Sequence, residues 1–260
     1  MIVKNKFILK KYNTGIIIQA RTGSKRFPKK ILSKVNNKTI LEFMVDRLLN
    51  YFNKEDIYVA TTNNKKDKII SEIIRKKKIN IFRGSERDVI LRFIKCAEKY
   101  NLKNIIRLTS DCPLIDPKLI IKYFKIHIKK KYDYSGNCFP YENRSYPVGS
   151  DFEFFRNNFL KEIYKKKLNK YEKEHMTPYL KKDKFNTFLF KGKKNNSGLR
   201  FTLDYKEDLI IIKKIIYYLR KENIFGHNDE IIDFLKKNTK LLKINKRHVT
   251  SYYKKKINQQ

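Results

Sequence analysis

The sequence predicts an α/β fold in which a mixed, mainly parallel sheet is flanked by helices and carries a small β insertion. Three features lead to this fold class. Short β-branched apolar runs alternate with segments of helical periodicity over residues 15–130, which is typical of βαβ units. From residue 131 the pattern changes to short strands and turns that continue to residue 155. Beyond this insertion, further strand patterns and two helices that should cover the sheet complete the fold.

The first half of the chain supplies four predicted strands with intervening helices. These strands comprise residues 15–18, 56–62, 80–83 and 104–109, and the helices comprise residues 39–52, 63–78 and 87–100. Thr39 and Glu42 form a capping-box pattern at the start of the first helix. Asp116 and Pro117 give the N-cap and the first-turn proline of a helix that follows the fourth strand.

The second half of the chain contains the insertion, residues 132–155. Its short strands are predicted at residues 132–137, 143–148 and 151–155, and alternating side chains indicate that the last of these is half-buried. Later strands are predicted at residues 185–192 and 199–203, and later helices at residues 157–169, 206–222 and 228–237. We interpret the chain as one domain, residues 14–245, with an N-terminal extension, residues 1–13, and a basic C-terminal tail, residues 246–260.

The composition restricts the class of protein. The formal net charge is +36, which would ordinarily indicate a nucleic-acid or membrane partner. The lysines are instead scattered through every segment, so we expect neither nucleic acid nor a membrane as a partner. Cys96, Cys112 and Cys138 lack the C-x-x-C spacing of a zinc site or a disulfide framework. This favours a reducing, cytoplasmic location.

The most informative stretch is residues 15–32, GIIIQARTGSKRFPKKIL. The strand ends abruptly in a loop with small side chains at Ala20, Gly23 and Ser24, where backbone amides can approach a ligand. Cationic side chains surround this loop, at Arg21, Lys25, Arg26, Lys29 and Lys30. A cationic loop at the carboxyl end of a parallel strand suits a polyphosphate. Its spacing matches neither the Walker A pattern nor G-x-G-x-x-G.

The loop also carries a family resemblance. Its string R-x-G-S-x-R-x-P-x-K, formed by Arg21, Gly23, Ser24, Arg26, Pro28 and Lys30, resembles that of the cytidylyltransferases that make CMP-activated acidic sugars. The resemblance is to the spore-coat polysaccharide type, related to acylneuraminate and KDO cytidylyltransferases, and spans residues 15–245. It implies a Rossmann-like nucleotidyltransferase fold of the GT-A-like type. It also implies that CTP activates an acidic sugar of the ulosonic acid type, giving a CMP-sugar and pyrophosphate for surface polysaccharide or glycan synthesis.

The resemblance implies which residues contact CTP. Arg21 and Lys30, as catalytic residues, would stabilise the β and γ phosphates while charge develops on the leaving pyrophosphate. The segment GSERDVILRF resembles the family's G-S-x-x-D-V-L-x-R-Y turn, which would lie against the base and the ribose. A helix cap with a solvated arginine explains that segment equally well. The implied nucleotide contacts are Gln19, Ala20, Arg21, Gly23, Ser24, Arg26, Lys30, Ser85, Asp88, Arg92 and Thr109.

Two aspartates at strand ends are the candidate metal ligands. Asp111 closely follows the fourth predicted strand, where α/β enzymes place metal-binding carboxylates, and Asp116 already serves as the helix cap there. The segment LRFTLDYKEDL resembles the family motif L-R-L-T-V-D-T-P-E-D-L, which implies Asp204 as the second ligand and Asp111 as both ligand and catalytic residue. We predict that the two carboxylates converge to within about 6 Å and hold Mg²⁺.

The insertion carries a further match to the family, P-x-G-x-D-x-E-V-F, in which Phe154 replaces a branched aliphatic residue. The resemblance implies acceptor-sugar contacts at Asp151 and Glu153, and a homodimer interface that includes residues 132–155. His175 lies in EHMTPY, which resembles the family's R-E-H-V-T-P-Y. It is a further candidate for sugar contact, although a histidine beside a glutamate is more often structural.

Three alternatives remain at this point. The scaffold could use another nucleotide or a sugar-phosphate acceptor. A basic nucleic-acid-binding protein could use the loop as a phosphate clamp, but two strand-terminal carboxylates would repel a phosphodiester unless a metal intervenes. A non-catalytic relative is disfavoured by the intact loop and aspartates. No general base is evident from the sequence.

Overall fold

The computed structural model describes residues 5–181 and 184–258. Its strands are β1 (Thr14–Gln19), β2 (Lys34–Val35), β3 (Lys38–Thr39), β4 (Ile57–Thr62), β5 (Asn80–Gly84), β6 (Asn104–Thr109), β7 (Tyr134–Gly136), β8 (Glu153–Arg156) and β9 (Thr187–Leu189). The strands β2 and β3 form a small hairpin. The others form one seven-stranded sheet in the order β5-β4-β1-β6-β8-β7-β9.

Nine helices lie within the described residues. They are α1 (Ile40–Leu49), α2 (Lys68–Lys76), α3 (Val89–Lys99), α4 (Pro117–Lys130), α5 (Asn157–Tyr164), α6 (Lys170–His175), α7 (Lys206–Lys221), α8 (Asn228–Lys237) and α9 (Thr239–Asn258). Both predicted caps are confirmed. Thr39 and Glu42 form a capping box on α1, and Asp116 accepts a hydrogen bond from the Lys118 N–H at the start of α4.

The sheet confirms the predicted mixed, mainly parallel α/β class. β1 pairs in parallel with β4 and β6, and β4 pairs in parallel with β5. Only β8 runs antiparallel to its neighbours, β6 and β7. The chain builds outward from β1 through β4 to β5 and then returns to the other side of β1 as β6. The carboxyl ends of β1 and β6 therefore flank a topological switch point, where open α/β sheets bind ligands.

Alternate side chains of β1 enter two cores. Ile16 and Ile18 pack into a cluster with α1, α2 and α4, whereas Ile17 packs into a second cluster with α3 and α5. All three isoleucines are fully buried, as a continuous β-branched run predicts for a strand covered on both faces. A third apolar cluster joins α7 and α8 to the α1 side of the molecule.

The insertion is part of the main sheet rather than an appended segment. β8 pairs directly with β6, and β7 lies on its far side. Residues 152–155 are all buried rather than half-buried as predicted, because Phe154 faces the α4 side of the sheet and Phe155 faces the α5 side. The alternation in their sequence thus reflects a buried Glu153 and not a solvent face.

Several predicted boundaries differ from the structure. Residues 143–148 and 199–203 form no strands and meet only in an isolated bridge between Val148 and Arg200. Gly149, with φ +114°, turns the chain there, and an added Cβ would lie 2.5 Å from the Thr202 nitrogen. The helix predicted at residues 157–169 ends earlier, as α5 at Tyr164, and Asn169 caps a separate helix, α6, which begins at Lys170.

The two terminal segments pack onto the domain. Leu9 is fully buried in the core, its N–H donates to Asp56 Oδ2 at 3.3 Å, and Phe7 bridges to Phe52. Residues 5–13 of the predicted extension therefore belong to the domain. Residues 246–258 of the predicted basic tail lie within α9, which begins at residue 239 and contacts α7 and α8; residues 259–260 lie outside the described residues.

Candidate active site

A cleft of about 920 Å³ opens at the switch point between β1 and β6. It brings together twelve of the predicted site residues, namely Gln19, Arg21, Gly23, Ser24, Arg26, Lys30, Thr109, Asp111, Asp151, Glu153, His175 and Asp204. The other predicted residues, Ala20, Ser85, Asp88 and Arg92, do not line it. Ala20 is buried, and its N–H donates to the Ala60 carbonyl at 3.2 Å, so this amide is committed to the protein.

The cationic loop is anchored by a buried carboxylate that the sequence did not single out. Asp67 Oδ1 accepts from the Thr22 N–H at 2.7 Å and from the Thr22 hydroxyl at 2.6 Å. The Thr62 hydroxyl donates to the other oxygen of Asp67. At the far end of the loop, Lys29 has a left-handed backbone with φ +56° and donates its N–H to the Thr22 carbonyl at 3.0 Å. The loop is thus tied to the end of β4.

The two predicted metal ligands, Asp111 after β6 and Asp204 after a segment that forms no strand, converge on one ammonium group. Lys30 Nζ lies 2.8 Å from Asp111 Oδ2 and 2.8 Å from Asp204 Oδ1. The two carboxylate oxygens are therefore separated by no more than twice that distance, which agrees with the predicted convergence. Arg26 adds a second cation to Asp204 Oδ1 at 2.7 Å. The loop, β6 and the start of α7 thus meet through one charged cluster.

Burial and charge act in opposite directions on this cluster. Burial tends to lower the pKa of Lys30, but Asp111 and Asp204 more than offset this effect and raise it above its ordinary value. Burial likewise tends to raise the pKa of Asp204, yet Lys30, Arg26 and Arg200 hold it well below its usual range. Lys30 is therefore a permanent cation and Asp204 a permanent anion near neutral pH.

A second buried carboxylate, Asp208, supports Asp204 through Arg200 and through the backbone. Arg200 donates to Asp204 Oδ2 at 3.0 Å and to both oxygens of Asp208 at 3.0 and 2.9 Å. Asp208 is fully buried and also accepts the backbone N–H groups of Asp204 at 2.8 Å and Tyr205 at 3.0 Å. Arg200 and Asp208 both lie within the motif LRFTLDYKEDL. The motif therefore contains these supporting residues, although their role was not predicted.

Arg21 is paired across the cleft rather than free. Its guanidinium lies 2.8 Å from Glu174 Oε1, and the two side chains are 35% and 36% exposed. His175 follows directly, lines the same cleft, and has its ring 4.3 Å from that of Tyr171. The helix α6 therefore forms the wall opposite the loop.

Ser85 and Asp88 act as the helix cap that the sequence allowed as an alternative. Asp88 accepts from the Leu91 N–H at 2.9 Å, and Ser85 Oγ accepts from the Asp88 N–H at 3.0 Å. Arg92, however, is not solvated. It is only 1% exposed, and burial, followed by the nearby Arg21, lowers its pKa to about 10. Its Nε and one terminal nitrogen have no hydrogen-bond partner among the described residues.

Both predicted acceptor-sugar carboxylates are paired with buried arginines. Arg144 lies 2.5 Å from Asp151 Oδ1 and has a fully buried side chain. Arg107 pairs with Glu153 and donates to Gln19 Oε1 at 3.0 Å. Neither arginine was predicted from the sequence. Arg107 is distant from Glu153 along the chain, and Arg144 is separated from Asp151 by a turn.

The donor chemistry of the cluster fits Mg²⁺. Among the residues that the structure describes, no group of three or more His, Cys, Asp or Glu side chains could hold a metal by itself. Magnesium is usually bound by one or two carboxylates together with substrate phosphates, rather than by a complete protein cage. Asp111 and Asp204 provide such a pair, and Asp111 is the more exposed, with 29% of its side chain accessible.

Within the described part of the chain, no helix combines the length and the apolar character needed to cross a bilayer.

The chain matches the family model for cytidylyltransferases over residues 15–257. It is 35% identical over 235 residues to an uncharacterized protein of Methanocaldococcus jannaschii, covering 88% of this chain and 93% of that protein. It is 30% identical over 234 residues to the spore coat polysaccharide biosynthesis protein SpsF of Bacillus subtilis, covering 85% and 93%. A cytidylyltransferase structure from Leptospira borgpetersenii serovar Hardjo-bovis aligns with a TM-score of 0.82 and 35% identity, covering 88% and 96%.

These matches extend across most of the chain and confirm both the nucleotidyltransferase fold and the resemblance carried by the loop. The activity of the matched family is nucleotidyl transfer from CTP. The chain belongs to the cytidylyltransferase family.

Proposed function

We propose that the protein transfers CMP from CTP to a hydroxyl of an acidic sugar of the ulosonic acid type, for surface polysaccharide or glycan synthesis. The observation that carries this proposal is the cluster at the switch point, in which Lys30 of the cationic loop lies between Asp111 and Asp204 in the wall of one cleft. The oxygen of the sugar hydroxyl attacks the α-phosphorus, the bond from that phosphorus to the oxygen that bridges it to the β-phosphorus breaks, and the bonding electrons leave with pyrophosphate. The hydroxyl proton passes to solvent.

The loop would bind the triphosphate. Gly23 and Ser24 line the cleft, where Gly23 has no side chain to obstruct a phosphate. Arg21 would exchange Glu174 for a phosphate oxygen, since its present pair is about one-third exposed and is therefore weak. Lys30 would stabilise the negative charge that develops on the leaving pyrophosphate. Each donor of this kind contributes on the order of 3 kcal/mol to lowering the barrier.

Asp111 and Asp204 would hold Mg²⁺. When bound there, the ion supplies charge neutralisation for the phosphates and the attacking oxygen. Asp204 is kept ionised by the cations around it, and its backbone is fixed by Asp208. Asp204 therefore presents negative oxygens without a need for prior deprotonation.

The acceptor would lie beside Asp151, Glu153 and His175, which line the same cleft. Arg144 and Arg107 offset the charges of the two carboxylates, so an anionic sugar would not meet uncompensated negative charge. The carboxylate oxygens remain able to accept hydrogen bonds from sugar hydroxyls.

The proposal is tested by supplying CTP, Mg²⁺ and a panel of ulosonic acids and sugar phosphates, and by identifying products with mass spectrometry. A CMP-ulosonate with stoichiometric pyrophosphate is the expected result. Pyrophosphate release with each of the four nucleotides tests the preference for CTP. A product formed only from a sugar phosphate would contradict the proposed acceptor class, and Asp111→Asn serves as the inactive reference.

We further propose a cytoplasmic homodimer. The insertion pairs within the sheet, so we place the interface instead at β9, an edge strand that carries a Phe188 side chain 45% exposed. A groove of about 200 Å³ adjoins it. The three free, buried cysteines are compatible with a reducing compartment. Sedimentation at micromolar concentration that shows only a 31.5 kDa monomer would contradict the dimer.

A further inference from the structure

The C-terminal helix α9 reaches the charged cluster from the side opposite the loop. The helix is interrupted at Asn245, whose φ of −122° and ψ of 15° depart from helical values. This residue is 2% exposed. Its side-chain amide donates to Asp208 Oδ1 at 2.9 Å and to the Arg200 carbonyl at 3.3 Å. The helix is thus interrupted at the residue whose side chain hydrogen-bonds to Asp208, the carboxylate that supports Asp204.

Three residues later, α9 makes a second contact with the same turn. The His248 ring stacks on Tyr205, with centroids 3.7 Å apart and planes inclined by 5°. Arg26, which pairs with Asp204, lies with its guanidinium carbon 5.0 Å from the centre of the same tyrosine ring. His248 also lines the cleft. The turn that follows Asp204 is therefore held between the loop and α9.

We infer that Asn245 and His248 are positioning residues, through which α9 sets the orientation of the Asp204 carboxylate. Asn245 supplies the remaining hydrogen bond to an Asp208 carboxylate that already accepts from Arg200 and two backbone amides. Without the Asn245 amide, the Asp208 carboxylate, which accepts the Asp204 N–H, loses one of its hydrogen bonds. His248 limits the movement of Tyr205 by ring contact.

This inference rests on the proposed role of Asp204 as a ligand of the divalent ion, but its first measurement does not. The chain has four histidines and no tryptophan, so the His248 ring protons can be assigned in an NMR spectrum by their loss in His248→Phe. Stacking on Tyr205 should displace them upfield. We expect Asn245→Ala to remove at least half of this displacement. The matched control Asn238→Ala, which removes an exposed amide bonded only to the Phe234 carbonyl, should leave it unchanged.

The second measurement is Mn²⁺ binding in the presence of CTP, followed by water proton relaxation. Outer-shell partners of metal ligands typically contribute about 10- to 100-fold to affinity. We therefore expect binding about 10-fold weaker in Asn245→Ala and His248→Ala. His248→Phe, which keeps the stack, should remain within about twofold of the wild type. If Asn245→Ala does not fold, the two His248 variants carry the test.

The outcomes separate the inference from the proposed function. If Asp204→Asn loses Mn²⁺ while Asn245→Ala and His248→Ala bind it normally, the positioning role is overturned and the ligand role stands. If Asp204→Asn binds Mn²⁺ normally while the NMR displacement is lost in Asn245→Ala, the ligand role fails and the contact of α9 with the turn stands. A His248→Phe variant as weak as His248→Ala would show that the imidazole nitrogens, and not the stack, are required.

Discussion

Replacing Lys30 with methionine removes the cation at the centre of the cluster while keeping most of the side-chain volume. The ammonium lies 2.8 Å from an oxygen of Asp111 and from an oxygen of Asp204. With an effective dielectric constant of about 20, each contact corresponds to roughly 6 kcal/mol of attraction before the cost of desolvation. Removal of one partner from a buried pair typically costs about 3–5 kcal/mol. Because Asp111 is partly exposed, we expect the free energy of unfolding to fall by about 3 kcal/mol, the lower end of this range.

The same substitution should affect turnover more than nucleotide affinity. If Lys30 acts on the leaving pyrophosphate, kcat should fall by about 100-fold or more with a smaller change in CTP affinity, because the charge is greater in the transition state. Urea unfolding with and without Mg²⁺ adds a second measurement. In Lys30→Met the ion should restore more stability than it does in the wild type, since it replaces the missing cation between Asp111 and Asp204.

A suitable control is Lys76→Met, because this side chain is exposed on α2. Lys77 is unsuitable, since its ammonium lies 2.6 Å from Asp46 Oδ1. Equal and modest weakening of CTP binding in Lys30→Met and Lys76→Met, with kcat untouched, would refute the reasoning. The cations would then act as a diffuse field, and the catalytic roles of Arg21 and Lys30 would be withdrawn.

Three further predictions concern single residues. Asp111→Asn should abolish pyrophosphate release while leaving the thermal midpoint within a few degrees of the wild type, because Asp116 caps α4. Arg144→Met should lower the free energy of unfolding by about 3–5 kcal/mol, measured in urea, because it leaves Asp151 without its buried partner; an unchanged value would contradict the pairing. Burial lowers the pKa of His127 to about 4. Between about pH 6.5 and pH 4 the unfolded chain therefore binds a proton at this residue that the folded chain does not bind. The free energy of unfolding should accordingly fall by about 3 kcal/mol as the pH is lowered from about 6.5 to about 4. His127→Gln should flatten this pH dependence.

Local patterns in the sequence account for the parts of the molecule that depend on neighbouring residues. A β-branched run at residues 16–18 predicts a doubly buried strand because every side chain on both faces is apolar. The caps at Thr39 and Asp116 depend on hydrogen bonds within one turn of a helix, which a spacing of two or three residues specifies. The loop motif and the position of Asp111 at the end of β6 likewise identify the edge of the sheet at which the chemistry occurs.

Tertiary structure decides which charges meet. Lys30 contacts aspartates 81 and 174 residues away, and although the loop motif includes Lys30, nothing in that motif states which carboxylates it will contact. The insertion, residues 132–155, has the pattern of an independent segment, yet it enters the sheet because β6 offers an unpaired edge beside β1.

The support of the site follows the same rule. Asn245 is the last residue of the predicted domain, directly before the predicted basic tail, and its position near Asp208 results from the path of α9 across α7. Buried arginines such as Arg200 are acceptable only where carboxylates surround them, and the sequence does not state which carboxylates those will be. The sequence by itself therefore determined the fold class, the loop and the two strand-end aspartates. Only the folded chain decided how those groups are paired, because the pairing energy depends on distances between residues that are far apart in sequence.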